Sequence, residues 1–208
     1  MKEGFSLVEL SIVLVILGLL TGGILAGQSL IRAAEIRSIS TDFDRYNAAF
    51  YTFRDKYFAI PGDMRNATKF WGAQTGVTTD GVVTACVNLT TAATSVATCN
   101  GDGDGLIHTV DSGTTYHERH RSWQHLANAG LIEGTYSGIA GTSAAAHVVI
   151  GENAPRSKIS DAGFSMMYMQ SQTTASTNWF PGSYGNVLFF GSEGTSTNWG
   201  AAITPEEA

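Results

Sequence analysis

An almost unbroken apolar stretch occupies residues 5–31, directly after a leader of four residues. Roughly 20 apolar residues are enough to cross a bilayer, so the stretch predicts a membrane-spanning helix. Glu9 is the only charged residue within it. A carboxylate at that depth costs about 2.5–3.5 kcal/mol on insertion scales, so we expect Glu9 to have both a function and a partner.

The residues around this acid form a specific motif, Gly4-Phe5-Ser6-Leu7-Val8-Glu9-Leu10. The motif and the apolar run behind it resemble the class III signal of type IV pilins and type II secretion pseudopilins. The resemblance implies that a prepilin peptidase cuts between Gly4 and Phe5 and methylates the new N-terminal Phe5. It also implies that Glu9 is needed for filament assembly. The resemblance covers the N-terminal helix, less than a third of the chain.

Two other kinds of N-terminal segment compete with this interpretation. A secretory signal peptide would have a positive leader and a small-residue cleavage site after the apolar run. Here Lys2 and Glu3 cancel, no clean Ala-x-Ala site follows, and an acid lies inside the apolar run, although residues 22–27 are mostly small. An ordinary single-pass anchor is the remaining alternative.

The helical pattern continues beyond the apolar stretch. Apolar residues recur in steps of three and four, at Ile36, Ile39, Phe43, Tyr46, Phe50, Phe53 and Tyr57. Such spacing predicts one amphipathic face on a helix. We therefore expect one long helix over residues 5–57, ended by Pro61 and Gly62. Its aromatic stripe is expected to pack on the protein's own head, with a coiled-coil seam as the alternative.

This pattern divides the chain into a leader (1–4), a transmembrane and assembly helix (5–28), an amphipathic helix (29–57) and an extracytoplasmic globular head (58–208). In the head, residues 64–71 and 122–128 are predicted short helices, and 147–150, 164–169 and 186–190 are predicted strands. The fold class expected is α+β, a long N-terminal α-helix packed on a loop-rich antiparallel β-sheet. Thr204 and Pro205 have the character of a helix start, which suggests that the chain continues into a helix.

Cys86 and Cys99 are the only cysteines. An even cysteine count in an exported domain predicts a disulfide bond between them. In the chain-entropy model, closing a loop of this size stabilises the fold by about 3 kcal/mol.

The segment after Cys99 has the pattern of a calcium-binding loop. Oxygen-bearing side chains alternate at Asn100, Asp102 and Asp104, followed by a glycine and an apolar residue, as in the first half of an EF-hand loop. The Leu106 carbonyl and either Asp111, at the twelfth position, or Glu118 complete the expected ligand set. The alternative is a turn rich in glycine and aspartate whose carboxylates are solvated.

Composition argues against several functions. With 12 basic and 18 acidic residues the net charge is −6, which gives no basic surface for nucleic acid. No catalytic constellation is recognisable, so no enzymatic activity is expected. His117, His120 and His125 lack the spacing of a metalloprotease site, and solvated or capping roles are expected for them.

The most consistent function is that of a structural subunit of a type IV pilus-like helical filament. Its expected partners are further copies of itself, other pilin-like subunits, the prepilin peptidase, an assembly platform in the inner membrane and the membrane itself. It would span the inner membrane once before assembly, and would afterwards form part of an extracellular filament or a periplasmic pseudopilus. A type II secretion pseudopilin and a membrane-tethered binding or sensor domain are the alternatives.

Overall fold

A computed structural model describes residues 6–75, 95–108, 110–111, 114–115, 117–142, 146–169, 181–194 and 200–204. In chain order the elements are α1 (Leu7–Tyr57), α2 (Ala67–Trp71), β1 (Val110–Asp111), β2 (Thr114–Thr115), α3 (Glu118–Asn128), β3 (Ala162–Met169) and β4 (Gly185–Ser192). The predicted α+β class is confirmed, with a small sheet.

Helix α1 is continuous over 51 residues, which is about 76 Å at 1.5 Å per residue. Its start is set by a capping box. The Glu9 carboxylate accepts the Ser6 N–H at 2.9 Å, and the Ser6 hydroxyl accepts a backbone N–H of the first turn. It ends at Phe58, whose backbone is left-handed and whose N–H donates to the Arg54 carbonyl at 2.8 Å. The predicted helix over 5–57 is therefore confirmed from Leu7 onward, and residues 1–5 lie outside the described part.

The second half of α1 forms one wall of the core. Ile39, Tyr46, Ala49 and Phe53 are buried there. The Tyr46 ring lies 5.0 Å from the rings of both Trp123 and Phe164, in edge-to-face contact. These contacts put the aromatic stripe against α3 and β3 of the same chain.

Strands β3 and β4 pair antiparallel, with Phe164 opposite Phe190. Strands β1 and β2 form a separate two-stranded pair. The predicted strand at 147–150 is wrong: only Ile150 makes a bridge, to Ala154. The reason is a tight turn, in which the Gly151 N–H donates to the Ala154 carbonyl at 2.7 Å and Asn153 accepts from the Val149 N–H at 2.8 Å.

Helix α3 starts earlier than predicted and is buried over most of its length. Its first four residues are charged or histidine, and all are almost fully covered. His117, His120 and His125 are likewise buried, so solvated roles for them are wrong. A helix this polar reaches the interior because neighbouring segments supply partners; for example, Arg121 donates to Gln74 and Gln124, each at 2.7 Å. The short helix predicted over 64–71 is confined to α2.

Cys99 is buried and disulfide-bonded. Its predicted partner, Cys86, lies outside the described residues, so the Cys86–Cys99 pairing stays a prediction.

Candidate functional site

Two regions of the described chain are candidates for a functional role: the first half of α1 and a group of carboxylates around residues 100–108. In the first half of α1, an 18-residue window is long and apolar enough to cross a membrane, and none of it is buried by the rest of the chain. Glu9 lies in its first turns, where its Oε2 accepts the Ser6 N–H at 2.9 Å. The carboxylate therefore sits at the helix N-terminus, where the helix dipole favours negative charge.

The hydroxyl groups of this half are all bonded within the helix. Ser11 donates to the Val8 carbonyl at 2.9 Å, and Ser29 donates to the Ala26 carbonyl at 2.9 Å. Thr21 donates to the Leu17 carbonyl at 2.8 Å. Because each hydroxyl has an acceptor in its own helix, none needs water, which suits a hydrocarbon environment.

Four glycines, Gly18, Gly22, Gly23 and Gly27, interrupt this apolar half. A Cβ placed on any of them would meet no atom within 4 Å. Alanine would therefore fit in the isolated chain, and it would favour the helix by up to about 1 kcal/mol per site. Nothing inside the described chain requires these glycines.

The second region is a loop, residues 100–108, held from outside by two carboxylates. Asp63 accepts the N–H of Gly103 through one oxygen and that of Gly105, at 2.8 Å, through the other. Glu118 accepts the N–H of Asp102 at 3.1 Å and that of His108 at 2.8 Å. Both carboxylates are almost fully buried, so together they fix four backbone amides of the loop in place.

The loop's own side chains mostly bond its backbone. Asp102 accepts the Asp104 N–H at 3.0 Å, and Asp104 accepts the Leu106 N–H at 2.8 Å. The second oxygen of Asp104 lies 2.9 Å from His108 Nε2. The side-chain oxygen of Asn100 accepts the Thr68 N–H at 2.9 Å, on the side of α2.

Burial works against negative charge in this cluster. Burial, followed by the charges of Asp63 and Asp102, raises the pKa of Glu118 to about 9. Burial likewise raises the pKa of Asp63 to about 7, with Asp102 adding to the effect. The backbone N–H donors oppose these shifts without cancelling them. Three carboxylates this close require either protons or a cation.

Among the described residues, two groups of side chains are close enough to hold a metal ion. Asp63, Asp102 and Glu118 offer one oxygen each, all within 4.8 Å of one another. Asp102, Asp104 and His108 form the second group by the same criterion. The all-oxygen group suits a hard cation such as calcium, whereas a histidine ligand is less typical of calcium sites.

The structure thus brings two of the predicted ligands, Asp102 and Glu118, into one group and places Asp104 in the other. The side-chain oxygen of Asn100 accepts the Thr68 N–H, and Asp111 is the second residue of β1, in the separate small sheet. Asp63 was not among the predicted ligands. It lies 39 positions before Asp102, and only the fold brings the two together, so no local pattern could have identified it. Calcium binding stays a prediction, with Asp63 as an added candidate ligand.

Backbone contact between the three segments of this site is unusually close. A Cβ on Gly101 would lie 2.4 Å from Asp63 Cα, and a Cβ on Gly62 would lie 2.3 Å from the Glu118 carbonyl oxygen. Gly62 also has a left-handed φ of +92°. Glycine is therefore required at both crossings, since no other residue would let the chains approach so closely.

His125 ties this site to the core. Its Nδ1 accepts the Gly62 N–H at 3.0 Å, and its Nε2 lies 3.0 Å from Thr98 Oγ1, which donates in turn to Gln124 at 2.8 Å. The ring stacks on Trp71 with centroids 5.3 Å apart. Because a backbone donor faces Nδ1, a second proton on the ring has no acceptor. Burial, followed by the charge of Arg121, lowers the pKa of His125 to about 3.

Acid is therefore expected to weaken the folded head through His125. The unfolded chain takes up the proton near pH 6.5, whereas the folded chain resists it until about pH 3. The contribution of uncharged His125 to the free energy of unfolding is fully present above pH 6.5. It falls as the pH drops, by about 2 kcal/mol between pH 7 and pH 5. Denaturant unfolding of residues 29–208 at several pH values measures this loss. His125→Gln should make the pH dependence shallower, and an unchanged slope in that variant would contradict the assignment.

We compared the chain with models of protein families, with curated protein sequences and with solved structures, and nothing matches it. Function is therefore inferred from the residues and their geometry.

Proposed function

We propose that this protein is a structural subunit of a type IV pilus-like helical filament, anchored in the membrane by α1 before assembly. The observation that carries the proposal is the division of α1. Its second half lies in the core of the head, whereas its first half is apolar and exposed. No described residue of the head covers the first half, so the surface that buries it has to come from outside the described chain.

Lipid and neighbouring helices are the two environments that fit that surface. The apolar length suits a bilayer, and the bonded hydroxyls carry no unmet donors into it. The four glycines make no contact within the chain, yet they would allow another helix backbone to approach closely. These properties support a helix that is first held in lipid and then packed against other copies.

Glu9 supports assembly rather than simple anchoring. In a simple membrane anchor the carboxylate would serve only to cap the first turn of α1, and its place in the apolar span would still cost insertion free energy. Cleavage before Phe5 would create a positive amine, and methylation would keep that charge. The carboxylate of one subunit and the amine of its neighbour could then offset each other's desolvation. No step of this function requires catalysis by the protein.

The test uses the full chain in cells that contain a prepilin peptidase and an assembly platform. Wild-type protein should start at a methylated Phe5 by intact-mass measurement and should appear in sheared filaments by electron microscopy. Gly4→Val should keep its leader. A membrane-tethered sensor would give no filaments, so absence of wild-type filaments would overturn the proposal.

Glu9→Leu is expected to insert normally in the membrane and yet fail to enter filaments, because the amine of the neighbouring subunit loses its partner. Ser11→Leu is the matched control, since it also makes the span more apolar while keeping the carboxylate. Membrane fractionation and filament yield are the measurements. Filament yield from Glu9→Leu equal to that of the wild type would count against the assigned role.

A further inference from the structure

The outer edge of β4 carries backbone groups that no described residue bonds. Strands β3 and β4 pair without interruption, with Phe164 opposite Phe190. The Phe164 N–H donates outward, to the Pro155 carbonyl at 3.1 Å, so the even-numbered residues of both strands direct their N–H and C=O groups to the outer edges. On β4 the first three such residues are Asn186, Leu188 and Phe190. Their backbone groups have no hydrogen-bond partner in the part of the chain that the structure describes.

The C-terminal segment covers only the last outward position of β4. The Ser192 N–H donates to the Gly200 carbonyl at 2.9 Å. Two residues later, the Ala202 carbonyl accepts from Arg32 at 3.5 Å. Arg32 precedes the part of α1 that packs against the sheet, which starts at Phe43. Residues 200–204 therefore leave β4 and do not follow the edge back toward its first residue.

Strand β4 also lacks the features that usually protect an edge. It contains no charged residue and no proline, and its regular pairing leaves no room for a bulge. Asn186 and Leu188 line an open hollow whose other side is formed by Phe50 and Tyr51, so α1 does not close over this part of the edge. An unpaired, uncharged edge of this kind is a template for a further strand.

The strand that matches this edge is a second β4 running in the opposite direction. With Leu188 opposite Leu188 of the second copy, Asn186 falls opposite Phe190 and Phe190 opposite Asn186. All three outward residues then form hydrogen-bonded pairs, each of which exchanges two bonds. In the adjacent registers, one outward residue would face a residue before β4 or would face Ser192, whose N–H already donates to Gly200. The facing side chains are all uncharged, so none of them repel.

We propose that β4 pairs antiparallel with β4 of a second copy, across a two-fold axis at Leu188. The contact is isologous, since both copies contribute the same surface. It joins two small sheets into one larger sheet, which is the usual way for a two-stranded pair to gain stability.

The direction of α1 decides which copies are able to pair. Tyr46 contacts Phe164, which lies opposite Phe190. Tyr51, further along α1, shares the hollow with Leu188, so β4 runs opposite to α1. The two-fold axis reverses β4 and therefore also reverses α1. Copies held parallel in one membrane cannot form this contact, whereas copies on facing surfaces or released from the membrane can. Only this restriction rests on the proposed function.

The test uses residues 29–208, which contain the whole described core because its first residue is Ile39. Analytical ultracentrifugation should show a dimer whose fraction rises with protein concentration. Leu188→Lys and Leu188→Glu should each weaken it severalfold, because like charges would face each other across the axis. An equimolar mixture of the two variants should restore the dimer. Phe70→Lys is the control, since Phe70 is exposed and lies on α2, and it should leave the dimer unchanged.

Amide hydrogen exchange tests the same contact without a substitution. The N–H groups of Leu188 and Phe190 should exchange fast in dilute protein and slowly where the dimer forms. The Val187 N–H, which points towards β3, should exchange slowly in both. A fragment that stays monomeric at millimolar concentration, or a dimer that both charged variants leave intact, would overturn the proposal. Filament formation by the full chain is measured separately, so failure of the pairing and failure of the proposed function are distinguishable.

Discussion

Gly101→Ala is expected to lower the stability of the head by about 3 kcal/mol, at the upper end of the usual cost of overpacking. The new methyl group would lie 2.4 Å from Asp63 Cα. Its obstacle is backbone, so no side-chain rotation can relieve the overlap. Relief requires the segments around Asp63 and Gly101 to move apart, which would also stretch the hydrogen bonds from the loop to Asp63. Denaturant unfolding of residues 29–208 measures the loss.

Substitutions at two further glycines distinguish the cost of steric overlap from the cost of backbone strain. Gly130 has a left-handed φ of +73° and open space around it, so Gly130→Ala should cost about 1 kcal/mol from strain alone. Gly62 combines a left-handed φ with a blocked Cβ position, so Gly62→Ala should cost more than either. If Gly101→Ala were no more destabilising than Gly130→Ala, the close crossing of the backbones would be refuted.

Millimolar calcium is expected to raise the melting temperature of the same fragment. A cation between Asp63, Asp102 and Glu118 would neutralise carboxylates that burial otherwise penalises. Binding to the folded state alone stabilises it by about 2.7 kcal/mol at a hundredfold excess over the dissociation constant. For a domain of this size that corresponds to an increase of roughly 5–10 °C. Calorimetry with calcium, magnesium and a chelator makes the comparison, and magnesium should substitute poorly.

Two substitutions decide which side chains bind the cation. If the buried group is the site, Asp63→Asn should abolish the calcium-dependent increase and Asp104→Asn should largely preserve it. If the alternating loop oxygens bind the ion, the pattern should be reversed. If the metal-free wild-type fragment melts at the same temperature in calcium and in chelator, the fragment does not bind calcium. The carboxylates would then only hold the loop in place through hydrogen bonds.

The sequence predicted α1 well because its signal is local and repeated. The apolar run and the three-and-four spacing both specify the same helix. The Ser6–Glu9 capping box, which starts the helix at Leu7, was not predicted, although its pattern is visible in four consecutive residues. The strand predicted at 147–150 is absent because a local turn outweighs the strand propensity of its residues. Its β-branched residues favour a strand, but Gly151 and Asn153 fold the chain back and use the amides locally.

The candidate cation site was only half predictable for a different reason. The spacing of Asp102 and Asp104 is readable along the chain, whereas Asp63 joins them through contacts between distant segments. The burial of α3 was equally inaccessible, because a sequence as polar as residues 118–125 normally faces solvent. The polar side chains of α3 are hydrogen-bonded to residues from distant parts of the chain. Arg119, for example, bonds Ser165, and His125 bonds Thr98.

The continuity of α1 also affects how subunits of the proposed kind would find one another. A protein joined to its anchor by a flexible linker tumbles and presents every face in turn. Here no residue between Leu7 and Tyr57 leaves the helix, so anchor and head share one stiff rod. If α1 stands in a bilayer as proposed, the head would only be able to move laterally and rotate about one axis. Encounters between subunits would then be a two-dimensional search among molecules already aligned, and much of the orientational entropy of association would be lost before they meet.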